Sequence, residues 1–322
     1  MTMQLPARYL KLALVIAIIV VIAAIFLESW QISDNTSVRW HILWQLQLPL
    51  LLTAITVGAA LAVSSGTLQV VLHNPLADPG IIGITSGASL IAAVLLLALP
   101  AVAQNYFHYI LPAACFAGAL LSTWLIYRIA HYLQGAAVAV ILAGIAISTV
   151  SGAIMAWLFL FADAQSLRNL TFWLMGSLYQ ADWWVIGISG PIMIVSVVYQ
   201  LRQARQLNWL YAGELQAASA GVAPQALTRR SLIAAALGVG AAVSVAGSIA
   251  FLGLLVPHFL RLLIGFDNRQ VLPASALLGA LILLLVVLLT ETFRLITLPV
   301  SMVTATLGGP LLLLALFKGR WQ

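Results

Sequence analysis

Apolar residues fill this chain in stretches of similar length, separated by short connections that carry the charges, prolines and glycines. A hydrocarbon core of roughly 30 Å is crossed by a helix of about 20 mostly apolar residues. Stretches of that order recur at 10–27, 45–72, 80–99, 110–133, 136–161, 183–201, 230–249, 251–266, 271–290 and 300–317. The pattern predicts an all-α polytopic membrane protein with about ten transmembrane helices, folded as a single domain over residues 1–322. The 251–266 stretch is short for a full crossing and needs support from its neighbours. Residues 165–179 (QSLRNLTFWLMGSLY) are amphipathic and predict a helix lying at the outer surface. Pro and Gly cluster at 74–80, 298–299 and 308–310. Broken helices persist in a membrane only where the freed backbone groups meet protein or water, so these sites are expected to line a cavity.

Composition sharpens this reading. The chain is 63% hydrophobic and 7% charged, against about 25% charged for a soluble domain, which leaves no room for a soluble catalytic domain and makes lipid the surrounding medium. The net charge of +6 comes from basic residues scattered over short loops, so it points to membrane topology and not to a nucleic-acid partner. Cys115 is the single cysteine and cannot form an intrachain disulfide. Arg8 and Lys11 followed by the apolar run 10–27 look at first like a signal peptide. That run exceeds a signal's roughly 7–15 residues and has no clear small-residue cleavage site, so an uncleaved first span is expected. With the N-terminus in the cytoplasm, eleven of the 14 basic residues fall in inner loops, leaving Arg39, Arg168 and Arg294 outside. Five of the eight acids, Glu28, Asp34, Asp163, Asp182 and Glu291, also fall outside. Both termini are therefore expected in the cytoplasm.

A weak internal repeat accompanies this topology. Val57-Gly-Ala-Ala60 recurs as Val239-Gly-Ala-Ala242, and Pro75 and Pro257 stand at the same offset of 182. The first helix would run inward and the second outward, which makes an inverted repeat, a common plan among transporters. Chance similarity between Gly/Ala-rich helices is the other reading.

Candidate chemistry is sparse. There is no GxxxxGK[ST] phosphate loop, and the only lysines are Lys11 and Lys318, so the chain has no means of hydrolysing ATP itself. The histidines, His41, His73, His108, His131 and His258, lack metal-ligand spacing on any one helix face. No nucleophile–base pair, metal site or cofactor motif is present. Ion-driven carriers place acids inside the membrane, whereas here the acids lie in loops or at span ends, with Glu291 the nearest exception. Transport energy is then expected from outside the bilayer. The longest cytoplasmic connection, 202–230, keeps Leu207, Trp209, Leu210 and Leu215 together around Glu214. A solvated loop is the other reading but rarely keeps such residues together, so 207–227 is expected to form a short helix–turn–helix docking knob.

Longer motifs become specific at this point. The stretch VGAALAVSSGTLQVVLHNPLADPGIIGITSGASL over 57–90 is followed by LAGIAIS at 142–148 and FWLMGSL at 172–178. LNWLYAGELQAASAGV at 207–222, GSIAFLGLLVPHFLRL at 247–262 and LPVSMVTATLGGP at 298–310 complete the series. Together they resemble the permeases of the iron-chelate and vitamin B12 class of ABC importers, the FecCD type, over essentially the whole chain. The resemblance implies a ten-helix subunit paired with a second permease, identical or similar. It also implies two ATP-binding subunits below and a periplasmic or surface binding protein above. It implies a cargo such as an iron–siderophore, haem or cobalamin. The family's ATPase-coupling helix falls on Gly213, Glu214, Ala217 and Gly221, and its cytoplasmic gate on Asn74, Pro75 and Leu76, although Asn-Pro is also simply a turn that ends a helix. The chain departs from the family where Arg-Leu-Pro-Arg is usual before the second span, since Gln47-Leu48-Pro49-Leu50 stands there. It departs again near the end of the ninth span, where Val286-Val287 stands and the later arginine position aligns with Glu291 or Arg294. Docking of the binding protein is therefore expected to depend less on the usual charges, or to use Arg39 and Arg294, with Gln47 and Glu291 at the altered positions. An ion-coupled secondary carrier is the alternative reading of such a chain.

Overall fold

The computed structural model describes residues 6–30, 35–98, 107–133, 137–293 and 298–317. Every predicted span coincides with a helix. In chain order these are α1 (Ala7–Trp30), the short α2 (Thr36–His41), α3 (Leu48–Val71), α4 (Ile84–Ala93), α5 (Phe107–Tyr132) and α6 (Ala137–Phe161). They continue with α7 (Ala164–Met175), α8 (Trp183–Arg202), α9 (Ala204–Ala212), α10 (Glu214–Ser219), α11 (Pro224–Ala246), α12 (Leu252–Ile264), α13 (Asn268–Phe293) and α14 (Val300–Phe317). A π-helical stretch, Ile42–Gln47, joins α2 to α3, and another, Val94–Ala98, extends α4. Among the described residues, seven helical segments are long and apolar enough to cross a membrane, while Ile84–Ala98 and Leu252–Ile264 are shorter.

The short helices have identifiable causes. Gly83, in the left-handed region at φ 88°, starts α4 four residues later than the apolar run begins. Ahead of α12 the chain runs without helical bonds over 247–250, and Phe251 takes φ 67°. Its freed backbone is not left bare, because the hydroxyls of Ser301 and Thr304 on α14 donate to the carbonyls of Ser248 and Ala250, at 2.7 and 2.8 Å. This is the condition under which unwound backbone survives at membrane depth.

The amphipathic segment is α7, capped by Asp163, whose carboxylate accepts from the N–H groups of Gln165 and Ser166 at 3.0 Å each. The helix ends at Gly176, φ 75°. Val300 donates its N–H to the Gly176 carbonyl and Ser177 donates to that of Ala246, so α7, α11 and α14 meet there.

At the centre stands α3, buried along nearly its whole length against α8, α11, α12 and α13. Lipid gives packed helices no hydrophobic advantage over solvated ones, so close backbone approach and interhelical hydrogen bonds must hold them. Gly58 meets the Gly279 backbone of α13, and Gly87 on α4 meets that of Gly118 on α5. Gln200 on α8 donates to the Ser64 hydroxyl of α3 at 3.2 Å, and Ser196 donates to the Ala234 carbonyl of α11 at 2.7 Å.

The halves repeat one packing plan in opposite directions. The helices α3, α4, α5 and α6 match α11, α12, α13 and α14 in order. Gly58 on α3 crosses α13, and Gly240, 182 positions later on α11, crosses α5, with Ala119 Cβ 3.2 Å from where a side chain would begin. The proline pair does not follow. Pro75 lies in the twelve-residue connection 72–83, whereas Pro257 lies inside α12, because the matching connection, 247–251, has only five residues.

Helix ends collect on two opposite faces. On one, Lys11 reaches Gln270 at 2.6 Å and α9 packs beside the 73 and 267 turns. On the other, Thr292 meets Glu28 at 3.3 Å and Trp183 donates to the Trp44 carbonyl at 2.7 Å. They are called the Glu214 face and the Glu291 face below.

Candidate functional site

Within the 207–227 stretch expected to form a helix–turn–helix, the chain runs from α9 through α10 to the start of α11. Gly213, φ 129°, ends α9 and opens α10, and Gly221, φ 77°, closes the unit ahead of Pro224. Both angles lie in the region that favours glycine. Within α10 only Ala217 is buried, and Val222 returns its N–H to the Ala217 carbonyl at 2.9 Å. Glu214 and Leu215 point outward, the latter 77% exposed. An apolar side chain so exposed on a short, well-braced helix has the form of a contact element.

Behind the knob, α9 is tied to its surroundings. Asn208 donates to Asp267 at 2.6 Å, and both the Asn268 amide and backbone N–H donate to the Asn208 carbonyl oxygen at 2.8 Å. Asp267 also receives the Arg269 guanidinium, which holds its carboxyl below the ordinary value of 3.8, with the Asn208 amide adding to the effect. Arg261, only 6% exposed, donates to the Gly66 carbonyl of α3 at 3.2 Å and to Asn268 Oδ1 at 3.1 Å, and lies over the Tyr211 ring of α9. One buried guanidinium thus joins α3, α9, α12 and the start of α13. The sequence contained Arg261 in a recognisable motif but carried no sign of this role, since two of these three partners, Gly66 and Tyr211, are distant in the chain.

Asn74, Pro75 and Leu76 form a tight turn on the same face. Asn74 Oδ1 accepts from the Leu76 N–H at 2.9 Å, and the Asn74 carbonyl accepts from Ala77 at 3.0 Å. Preceding it, His73 adopts φ 47° and presents Nε2 to the Leu210 carbonyl at 3.2 Å. Leu210 O also accepts from the Gly213 N–H at 3.0 Å. The Asn-Pro turn and the Gly213 hinge therefore share one carbonyl.

Beyond the turn the chain folds back into the protein. Asp78 accepts from the Gly80 N–H at 2.9 Å and lies close against Gly253 at the start of α12. Asp78, Ser65 and Thr85 line a hollow of about 220 Å³ between the two broken segments, and the buried Ser65 hydroxyl has no partner there. Asp78 belongs to the 74–80 cluster expected to line a cavity, and the connection tucks it between helices where Pro79 and Gly80 turn the chain inward.

The residues expected to dock a binding protein are scattered over the Glu291 face. Arg39, on α2, stands over the Trp30 ring at 5.1 Å. Glu291 accepts from the Tyr179 hydroxyl at 3.1 Å. Gln47 departs from the expectation: it is 4% exposed, its carbonyl oxygen unpartnered, because the π-helical turn rotates it into the bundle. Arg294 lies outside the described residues. Among the described residues no three His, Cys, Asp or Glu side chains gather as metal ligands.

Comparison with known proteins fits this arrangement. The FecCD transport family matches residues 10–318. The hemin transport system permease HmuU of Yersinia pestis is 38% identical over 301 residues, covering 92% of this chain and 89% of that protein. The vitamin B12 import system permease BtuC of Vibrio cholerae is 38% identical over 296 residues, 91% of this chain and 88% of that protein. Among solved structures, a metal-chelate type ABC transporter in an inward-facing conformation superposes with a TM-score of 0.86 at 26% identity, covering 97% of this chain and 99% of that one. Matched from its first span to its last helix, the chain belongs to the FecCD transport family.

Proposed function

We propose that this chain is the permease subunit of a binding-protein-dependent ABC importer, moving a bulky metal chelate such as haem, cobalamin or an iron–siderophore. The observation that carries the reading is the braced, outward-facing α10, tied through α9 to the Asn-Pro turn. It has the form needed by a permease that takes its power from outside the bilayer. Two ATP-binding subunits would grip α10 at Gly213, Glu214 and Gly221, with the buried Ala217 anchoring the helix from behind, and their closure would displace α9 and the gate at Asn74, Pro75 and Leu76. A second permease, identical or similar, would complete the pathway. The Glu214 face would be cytoplasmic, with both termini there, in a bacterial inner membrane. It carries Arg202, Arg205, Arg229, Arg230 and Arg269, in keeping with the positive-inside rule. A periplasmic or surface binding protein would dock on the Glu291 face through Arg39, Glu291 and Arg294. Exposed ion pairs contribute only about 0–1 kcal/mol each, so high salt is expected to leave most of that docking intact, and a steep loss with salt would count against it.

Among the described residues, Asp78, in its cavity between broken helices, is the feature that favours an ion-coupled carrier. The test is uptake into proteoliposomes holding the chain with its ATPase and binding-protein partners. Labelled haem, cobalamin and ferric siderophore are offered in turn. Accumulation of one of them, dependent on the binding protein, supports the proposal. Accumulation of none, with all three partners assembled, refutes the chelate assignment.

A further inference from the structure

A long groove on the flank of the bundle has no part in the reading above. It runs between α8 and α11 beside α5, in two hollows that share Phe116 and Ile192. The larger, about 680 Å³, lies toward the Glu214 face, walled by Val195, Ile233 and Leu237 and ending at Tyr199 and Arg230. The smaller ends at Tyr109 and Trp184, whose rings meet edge to face with centroids 6.5 Å apart. From Tyr199 to Trp184 the groove follows α8 for about 22 Å at 1.5 Å per residue. The larger hollow therefore covers about one leaflet of a core roughly 30 Å thick.

Its lining suits a chain of methylenes. Pro191 on α8 and Ala234 on α11 both line the larger hollow, and these compact side chains leave the space unfilled. The serine hydroxyls in the wall are already engaged, Ser196 donating to the Ala234 carbonyl, Ser189 to that of Val185 and Ser244 to that of Ala241. Charge is confined to one end. Arg230 closes the larger hollow, and Arg202, Arg205 and Arg229 are exposed on the same face. Among the described residues none of the four has a carboxylate within salt-bridge reach, Arg269–Asp267 being the ion pair found. An elongated apolar slot parallel to the helices, with cations at one membrane surface, matches the shape and charge of one class of molecule.

We propose that this groove is a specific site for an anionic phospholipid of the Glu214-face leaflet. An acyl chain lies between α8 and α11, and the phosphate sits on Arg230. The site requires only that the chain crosses a bilayer, so it stands or falls separately from the identity of the cargo.

Native mass spectrometry of the full-length chain in mild detergent tests it, with phosphatidylglycerol and phosphatidylcholine of identical acyl chains as probes. Phosphatidylglycerol should be retained at least tenfold more than phosphatidylcholine. Arg230→Gln should abolish that preference and Arg230→Lys should keep most of it, while Val195→Trp, at an exposed wall position, should reduce retention of both lipids. Equal retention of the two lipids by the unaltered chain overturns the proposal, as does undiminished preference in Arg230→Gln. Loss of permease dimer in Val195→Trp with lipid retention unchanged also overturns it, in favour of a second copy on this flank. A diazirine-bearing phosphatidylglycerol gives a reading independent of variant folding: labelling should concentrate in 191–199 and 230–237, and labelling elsewhere contradicts the site.

Discussion

At Gly58 and Gly279 two helix backbones touch with no space for a side chain on either, so α3 and α13 can pack at this distance only with glycine at both positions. Gly58→Val forces them apart, and overpacking a fitted interior costs about 1–3 kcal/mol or more. The expected result is a clear fall in the thermal midpoint of the purified chain, with Gly152→Val, where nothing lies within 4 Å, as the unaffected control. Arg261→Ala leaves the Gly66 carbonyl and Asn268 without their partner, at about 1–3 kcal/mol for each buried group left unsatisfied. Arg261→Lys should recover only part, since an ammonium lacks the planar fork. Asp267 gives a prediction in pH. Its carboxyl is held low chiefly by the Arg269 guanidinium, so the contribution is fully present above the unfolded value near 3.8 and is lost as pH falls below it. The midpoint difference between the unaltered chain and Asp267→Ala should stay constant from pH 5 to 8 and shrink only below about 4. A difference that changes around neutrality would contradict this. Residue roles of this kind were the least legible from sequence. Arg261 and Asp78 take their surroundings from segments remote in the chain, and Gln47 is buried by a helix irregularity that leaves no mark on local hydrophobicity.

The helices themselves were far more legible, because the length of an apolar run reports directly on the bilayer it must cross. All ten runs contain helix, and the 207–227 knob was visible in its clustered leucines and tryptophan. What hydropathy could not show was where a run stops being helix. Leu252–Ile264 and Ile84–Ala98 are shortened by backbone turns at Phe251 and Gly83, and the side chains on either side stay apolar. The outward-facing α10 carries the sharpest prediction. Leu215→Glu and Glu214→Arg change side chains that face solvent, so thermal stability should be unaltered while affinity for the ATP-binding subunit falls at least tenfold. Gly213→Val should lower both, because φ 129° is strained for any residue with a Cβ. Equal losses of stability in all three variants would show that α10 merely braces the fold.

For the whole molecule, the two halves run in opposite directions about α3 and α11, and their broken segments, 72–83 and 247–251, meet at the Asp78 cavity. The offset of 182 indicated the repeat only where helix faces helix, at Gly58 and Gly240. It failed at the prolines because the two connections differ in length. On the Glu214 face, hydrogen bonds link the knob, the Asn-Pro turn and the α12–α13 turn into one layer, which on the function proposed would carry external force to the broken helices. The direct test is the energy source of uptake. Vesicles containing the assembled transporter are loaded either with ATP plus a protonophore and sodium ionophore, or with an imposed ion gradient and no nucleotide. The account predicts full cargo accumulation in the first and none in the second, with Leu215→Glu abolishing the first. Accumulation driven by the gradient alone would contradict it.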